Sequence, residues 1–303
     1  MIKTLLIAAK GVAMGAADVV PGVSGGTIAL LTGIYPRLIN AIASINANTI
    51  KLLFKGQLKT FWNQLDGRFL LPLLLGIVTA FALLAHSIKH VLEYYPIPTW
   101  SFFFGLIIAS AVLIMLQIND KKLSHYLWLI PGILFGYWIS SMTAIAFPNS
   151  HFAVFIAGMI AVCAMILPGI SGSFILLLLG MYQLLITAVA ERQMFVLMLF
   201  VMGALIGLLL FSRLIKWILD RYYRMTLLFL SGLMLGSLTK VWPWKLSMEN
   251  MATDQHQLLA THNVMPFAYP QAQLPLAISM MVVAIMMVFL IDYLGRKLTV
   301  LAD

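Results

Sequence analysis

Two short strings rich in proline, glycine and serine carry the residues of this sequence that are best suited to binding an anion. The first, PGVSGGTIALLTGIYPRLINA, begins at Pro21, and the second, PGISGSFILLLLGMYQLLITA, begins at Pro168. Aligned without a gap, the 21-residue strings share 12 identities. A helix-breaking motif written twice within apolar sequence indicates an internal duplication and a ligand site at the same place.

The chemistry of both strings is that of a broken helix. Proline lacks an amide hydrogen and disfavours helix in the residue before it, while glycine adopts backbone conformations closed to other residues. The amides left free where the next helix starts, together with the hydroxyls of Ser24 and Ser171, would suit a phosphate or another anion. The alternative is a tightly packed hairpin whose glycines only permit close approach, but two copies favour a binding site.

The two copies differ in the groups that surround them. The first carries three side chains that the second lacks, the aligned pairs being Asp18/Met165, Thr27/Phe174 and Arg37/Leu184. An ionisable residue within an apolar segment is a functional candidate by default. Asp18 could pair with Lys10 or Arg37, or take up and release a proton. Arg37 could hold a phosphate through its planar fork or anchor the hairpin at the cytoplasmic surface.

The composition predicts an integral membrane protein. Of the 303 residues, 62% are hydrophobic and 10% are charged, and the mean hydropathy is +1.00. Apolar stretches that approach the roughly 20 residues of a membrane-spanning helix occupy residues 69–92, 98–118, 126–147, 194–219, 225–240 and 274–294. No polar segment is long enough for a separate soluble domain, and a single cysteine, Cys163, excludes a disulfide framework within the chain.

The net charge of +9 is interpreted as a signal of orientation and not of nucleic-acid binding. In a simple threading, 13 of the 19 basic residues fall on one side of the membrane, which by the positive-inside rule is the cytoplasmic side and holds both termini. The opposite side receives Lys89, Arg192, Lys240 and Lys245.

A second alignment extends the duplication, because residues 76–110 and 203–237 share 11 identities over 35 positions. The first repeat is then residues 1–147, with a hairpin at 4–45 and three helices within 69–147. The second is residues 148–303, with a hairpin at 152–190 and three helices within 194–294. A hairpin returns to its own side, so three further crossings invert the second repeat relative to the first. We therefore expect an all-α polytopic membrane protein with two inverted-topology repeats, whose hairpins are either re-entrant or two tilted crossings each.

Two segments join these elements. Residues 46–68 carry Lys51, Lys55 and Lys59 among apolar residues, which suits an amphipathic helix on the cytoplasmic surface and a basic connecting loop equally well. Residues 241–273 are expected to form an external loop. Its two histidines, His256 and His262, lack the neighbouring acids or cysteines of a metal site, so no metal is predicted.

The strings AMGAADVVPGVSGGTIALLTGIYPRLINAI and AVCAMILPGISGSFILLLLGMYQLLITAV resemble those of the bacterial polyprenyl-phosphate transporter family, long known as a membrane domain of unknown function. The similarity covers essentially the whole chain. It implies translocation of undecaprenyl phosphate, the lipid carrier of cell-wall and surface-glycan synthesis, from the outer to the inner leaflet of the cytoplasmic (inner) membrane for reuse. No cofactor is implied.

Under this resemblance, the two motifs are expected to meet near the membrane midplane and to pass the phosphate between the two sides. Asp18 would couple this step to a proton. The predicted substrate-binding residues are Gly22, Ser24, Gly25, Gly26, Thr27, Arg37, Gly169, Ser171, Gly172 and Ser173.

Two other classes of function remain as alternatives. A channel or secondary carrier for a small water-soluble anion would use the same hairpins. A membrane-embedded phosphatase or transferase would need paired acids, histidines or a metal inside the membrane, and Asp18 is the only acid beside a motif, so an enzyme is not expected. The sequence leaves open the energy source and whether the chain forms a homo-oligomer.

Overall fold

A computed structural model describes residues 2–20, 22–118, 123–143, 147–148, 150–247 and 261–300 of the chain. Pro21 and His256 lie outside these ranges, as do Lys121 and Lys122, two of the basic residues assigned above to the cytoplasmic side. We call residues 21–27 the first motif and residues 168–174 the second motif.

The described part of the chain is almost entirely helical, which confirms the all-α class. In chain order, the α-helices are α1 (Ile2–Val19), α2 (Gly25–Leu31), α3 (Tyr35–Ala43), α4 (Ala47–Phe54), α5 (Leu58–Gln64), α6 (Gly67–Tyr94), α7 (Pro96–Gln117), α8 (Leu123–Tyr126), α9 (Leu129–Ser141), α10 (His151–Ile166), α11 (Gly172–Leu178), α12 (Tyr182–Ala190), α13 (Met194–Gly236) and α14 (Leu274–Val300). Two 3-10 helices (Ser237–Val241 and Pro266–Ala268) and a ribbon of two antiparallel strands, β1 (Lys245–Ser247) and β2 (Thr261–Asn263), lie between α13 and α14.

The protein is a multi-pass membrane protein. Four helices of the described chain are long and apolar enough to cross a bilayer: α6, α7, α13 with the 3-10 helix that follows it, and α14 over Leu274–Tyr293. The number rises to six if the bent pairs α2–α3 and α11–α12 each count as one span. Large apolar side chains on these helices are exposed, Val78 by 63% and Leu83 by 68%, as expected for a surface that faces lipid.

Helix α13 is two helices joined at a break, as the separate apolar stretches predicted. Its 43 residues would extend about 65 Å, roughly twice the hydrocarbon thickness of a bilayer. The backbone leaves helical geometry at Tyr222, with φ −131° and ψ 42°. Tyr95, its equivalent in the aligned repeat, lies between α6 and α7 with φ −131° and ψ 55°. The two halves of the chain therefore turn at the same residue with nearly the same backbone geometry.

Close helix contacts recur at equivalent positions in the two halves. Helix α1 packs on α6, and α10 packs on the first segment of α13, in both cases through glycines that lie against a backbone carbonyl of the partner helix. The equivalent contacts are Gly11 with Leu73 and Gly158 with Phe200, and Gly76 with Ala8 and Gly203 with Phe155. Small residues at such contacts let helix backbones approach closely, which is how helices associate in a membrane.

The third helix of each half packs on the other half. Gly105 of α7 lies against Met281 of α14, and the equivalent Gly232 of α13 lies against Leu129 of α9. Helix α9 is shorter than the predicted stretch 126–147: it has 13 residues, about 20 Å, and follows the four-residue α8. The exchange of third helices joins the two halves into one bundle.

The second arm of each hairpin is divided into two short helices by a sharp bend that the sequence analysis did not predict. Helices α2 and α3 are bent by 116° relative to each other, and α11 and α12 by 108°. The physical reason is a glycine with positive φ, Gly33 at 71° and Gly180 at 64°, which ends the preceding helix. The turn is closed by the amides of Ile34 and Met181, which donate to carbonyls five residues back at 3.0 and 2.9 Å.

The linker at 46–68 forms two short helices, α4 and α5, in place of the single amphipathic helix or the loop expected from the sequence. Their apolar side chains are largely exposed, Phe54 by 88% and Leu58 by 63%. The predicted external loop at 241–273 contains the β-ribbon and the 3-10 helix Pro266–Ala268 in its described part, and the other 3-10 helix ends at Val241, where this loop begins.

A valine in place of Gly203 should lower the apparent melting temperature of the purified protein in detergent, because the new side chain would meet the carbonyl group of Phe155. Overpacking of this kind costs about 1–3 kcal/mol. The matched control is Ala82→Val, at an exposed position of α6. If the two variants melt at the same temperature, α10 and α13 do not approach each other as closely as described.

Candidate functional site

The first motif forms a tight turn between α1 and α2 whose amides are bound by side chains of the same hairpin. Gly22 has φ 86°, a conformation that favours glycine. The amide of Gly25 donates to Oδ1 of Asp18 at 2.6 Å, and the amide of Gly26 donates to the hydroxyl of Ser24 at 3.1 Å. The carboxylate of Asp18 thus occupies the start of α2, where a helix would otherwise attract an external anion.

The second motif has the same backbone but different side chains. Gly169 has φ 87°, almost identical to its equivalent in the first motif. Met165 stands at the place of Asp18, with its side chain against Gly172. Ser171 does not cap α11, and its hydroxyl instead lies 2.7 Å from that of Ser173. The start of α11 therefore lacks the two side-chain acceptors that bind the start of α2.

The structure brings the two motifs into direct contact. The amide of Gly169 donates to the hydroxyl of Thr27 at 3.0 Å. The hydroxyl of Ser24 lies 3.4 Å from the carbonyl oxygens of both Met165 and Leu167, which lead into the second motif. Thr27 and Ser24 are fully buried at this junction, with 0% and 1% of their surface exposed. The candidate glycines, serines and threonine of both motifs thus belong to one junction, although the two motifs are 147 positions apart in the sequence.

The structure does not place Arg37 at this junction. Its guanidinium group binds the carboxylate of Asp66 with two hydrogen bonds of 2.6 and 3.0 Å and lies 4.4 Å from the ring centroid of Phe69. The Arg37 side chain is half exposed. The ammonium group of Lys10 donates to the carbonyl of Thr32 at 2.8 Å. Neither cation proposed from the sequence as a partner of Asp18 is therefore bound to it here.

A cavity of about 550 Å³ lies beside the junction. Gly22 of the first motif and Phe174 of the second contribute to its wall, so it touches both motifs. The rest of the wall combines aromatic rings with hydroxyl, amide and basic groups, namely Trp100, Tyr137, Ser140, Ser141, Thr143, Thr239, Lys240, Lys245, His262, Asn263 and Tyr269. None of the described residues that line the cavity is acidic.

The sequence reasoning assigned Lys240 and Lys245 only to orientation, and the structure places both in this cavity. The ammonium group of Lys240 lies 4.2 Å from the ring centroid of Phe174, and that of Lys245 lies 4.5 Å from the ring centroid of Trp100. The ammonium of Lys245 also donates to the carbonyl of Lys240. One signal could have identified them: two lysines five positions apart follow an apolar stretch on the side that is otherwise poor in bases.

The cavity has a lateral neighbour. A more open pocket of about 300 Å³ shares Ser141, Met142 and Thr143 with it and is also lined by Trp138. The Trp138 side chain is 56% exposed on the outer surface of the bundle. The cavity therefore adjoins a second, more open pocket lined by both apolar and hydroxyl side chains. Within the described ranges, no group of histidine, cysteine or acidic residues could hold a metal ion.

A helical membrane protein with two paired helix breaks beside a basic cavity has the features of a membrane transporter. Comparison with known proteins gives the family. A family model described as "VCA0040-like: Undecaprenyl phosphate translocase-like" matches residues 14–259, and the chain belongs to this family.

Two curated relatives carry the same name, polyprenyl-phosphate transporter. The protein of Vibrio cholerae is 46% identical over 295 residues, which are 95% of this chain and 96% of the relative. The protein of Staphylococcus aureus is 36% identical over 253 residues, which are 77% of this chain and 84% of the relative. No solved structure matches the chain at a significant level. Family and relatives are named as transporters and not as enzymes, in agreement with the sequence analysis.

Replacing Thr27 with valine should destabilise the protein by about 1–3 kcal/mol, because the buried amide of Gly169 would lose its acceptor. Thr27→Ser keeps the hydroxyl and is the matched control. The measurement is thermal unfolding of both variants in the same detergent. Equal stability of the valine and serine variants would mean that the two motifs are not joined by this bond.

Proposed function

We propose that this protein translocates undecaprenyl phosphate, or a closely related polyprenyl phosphate, from the outer to the inner leaflet of the cytoplasmic membrane. The observation that carries the proposal is the junction of two helix breaks at the wall of a basic cavity, which suits a phosphate headgroup. The names of the family and of both relatives support the choice of lipid.

The proposed transport cycle uses two inverted repeats. Their equivalent contacts support the duplication, and an odd number of crossings after each hairpin inverts the second repeat. Arg213 and Lys216 bind the end of the first hairpin, at the carbonyl of Ile45 and the side chain of Asn40, both at 2.7 Å. This agrees with a basic cytoplasmic side that holds both termini, and the cavity then opens toward the outside.

The junction of the motifs is the proposed barrier between the two sides. A phosphate entering from the outer leaflet would reach the cavity and meet a junction whose polar groups are bound to each other. Translocation requires these bonds to be exchanged for bonds to the phosphate, through Gly22, Ser24, Gly25, Gly26 and Thr27 of the first motif. The second motif would bind the phosphate through Gly169, Ser171, Gly172 and Ser173. The polyprenyl chain would stay in lipid beside Trp138.

Asp18 is proposed to couple this exchange to a proton. Its carboxylate accepts from the amide of Gly25, so an ionised Asp18 and a phosphate would compete for the start of α2. Protonation removes the negative charge and lowers the cost of bringing a phosphate to the same amides. A proton that enters Asp18 with each phosphate would make transport depend on the proton gradient.

Arg37 is proposed to act at the cytoplasmic end of the path. Its exposed guanidinium group already donates to one carboxylate, and the same planar arrangement of N–H groups can donate to two oxygens of a phosphate. The phosphate would take the place of Asp66 as the lipid leaves the protein.

Replacing both Ser24 and Ser171 with alanine should reduce uptake of undecaprenyl phosphate into proteoliposomes about tenfold or more, since two hydroxyl donors to a charged group are lost. The control is the double variant Ser110→Ala, Ser231→Ala, in which each serine bonds only a carbonyl of its own helix. Uptake equal to that of the control would mean that the hydroxyls of the two motifs do not bind the phosphate. Transport of inorganic phosphate by liposomes free of polyprenyl lipid would favour the small-anion carrier instead.

Asp18→Asn should retain the bond to the amide of Gly25 but abolish the response of transport to a proton gradient, since the amide side chain does not titrate. The measurement compares initial uptake with and without an imposed pH difference across the liposome membrane. An asparagine variant that responds to the gradient as strongly as the wild type would assign the coupling to another group.

A further inference from the structure

Two lysines, Lys240 and Lys245, lie close together beside the first motif, on a chain segment that belongs to neither motif. Lys240 lies in the 3-10 helix that follows α13, and Lys245 is the first residue of β1. The backbone and Cβ of Lys240 pack on Gly22, and its ammonium group lies on the ring of Phe174, so this side chain bridges the two motifs. Lys245 reaches back to the carbonyl of Lys240. Both side chains therefore lie where the cavity meets the junction.

Neither ammonium group makes an ion pair with a carboxylate among the described residues. Each is held against an aromatic face instead, Lys240 by Phe174 and Lys245 by Trp100. A ring attracts a cation without cancelling its charge, so each ammonium group, when protonated, keeps its charge available to an anion in the cavity. Placing two like charges together in a partly buried site is costly unless an anion joins them.

Neutral donors adjoin the two cations. The hydroxyl of Thr239, next to Lys240, is buried and has no hydrogen-bond partner among the residues that the structure describes. Asn263, opposite Lys245 in the β-ribbon, lines the same wall, as does His262. Two point charges beside further polar groups, around a space with no acid among its described lining residues, suit the oxygens of a phosphate monoester.

We propose that Lys240 and Lys245 bind the phosphate of the lipid on the outer side, before it reaches the motifs; this assignment rests on the proposed function. The pair gives the headgroup a first binding position at the outer leaflet, directly beside Gly22. The aromatic wall and the opening at Trp138 accommodate the start of the polyprenyl chain. The phosphate is thus held in line with the junction it must cross.

The site is expected to weaken as the pH rises. Burial and the nearby Lys240 lower the pKa of Lys245 to about 7, from an ordinary value of 10.5. Lys245 is therefore charged below about pH 7 and neutral above it, and its contribution to phosphate binding is lost through that range. The other titratable groups of the cavity wall are Lys240, His262, Tyr137 and Tyr269. The lipid phosphate gains its second charge near pH 6, which acts in the opposite direction.

The test measures binding of undecaprenyl phosphate and of undecaprenol to the full chain in nanodiscs. Lys240→Gln and Lys245→Gln should each weaken binding of the phosphate about tenfold or more and leave binding of the alcohol unchanged, because a charge-assisted bond is lost. Lys89→Gln, an exposed lysine on the same predicted side that does not line the cavity, should bind like the wild type. Phosphate binding within twofold of the wild type in both cavity variants would overturn the proposal.

A charge-preserving variant makes the test independent of how well the glutamine variants fold. Lys245→Arg stays charged, so between pH 6 and 8.5 its affinity for the phosphate should fall less than that of the wild type. Identical pH profiles would also overturn the role of Lys245. A wild-type protein that binds the alcohol as tightly as the phosphate would instead contradict the proposed function itself, which separates the two failures.

Discussion

Helix breaks inside an apolar bundle leave amides and carbonyls that lipid cannot satisfy, and here the two breaks satisfy them partly within each hairpin and partly through each other. Gly169 donates to Thr27, and Ser24 approaches two carbonyls of the opposite hairpin. Neither hairpin can shift alone without leaving buried polar groups unpaired, which costs about 1–3 kcal/mol for each group. The hairpins are therefore coupled, and an external ligand that offers replacement oxygens is what would let them rearrange. A phosphate has such oxygens.

The parts of the fold that were predictable are those written in the sequence as length or as repetition. Long apolar stretches gave the spans, and the aligned Tyr95 and Tyr222 both mark a turn between helices. The breaks at Gly33 and Gly180 were missed although both glycines recur in the alignment, because glycine within an apolar run also suits close packing between membrane helices. The two cases differ in backbone conformation, because a glycine that ends a helix has a positive φ and a glycine at a packing contact keeps helical geometry.

The candidate site was predictable where it lies within the motifs and not where distant segments complete it. Alignment alone identified Asp18 as unmatched in the second copy, and the structure gives it a definite partner in the amide of Gly25. Arg37 lies close to the first motif in the sequence, but its side chain binds Asp66 and does not reach the junction. Lys240, by contrast, is more than 200 positions from Gly22, and no local pattern links them. Proximity of that kind comes from the packing of the end of α13 against Gly169 and of the following 3-10 helix against Gly22, which periodicity does not encode.

The order of charges along the proposed path argues for its direction. Two ammonium groups without carboxylate partners among the described residues lie at the outer cavity, and the carboxylate of Asp18 lies beyond Gly22 at the start of α2. Under the proposed function, an anion arriving from outside would first be attracted and then be repelled until Asp18 takes a proton. The second repeat has no such carboxylate, since Met165 stands in its place. With two equivalent breaks, the protein would have no preferred side. The single acid and the lysines at one end remove that symmetry, and under the proposed function they would connect proton entry to inward movement of the phosphate.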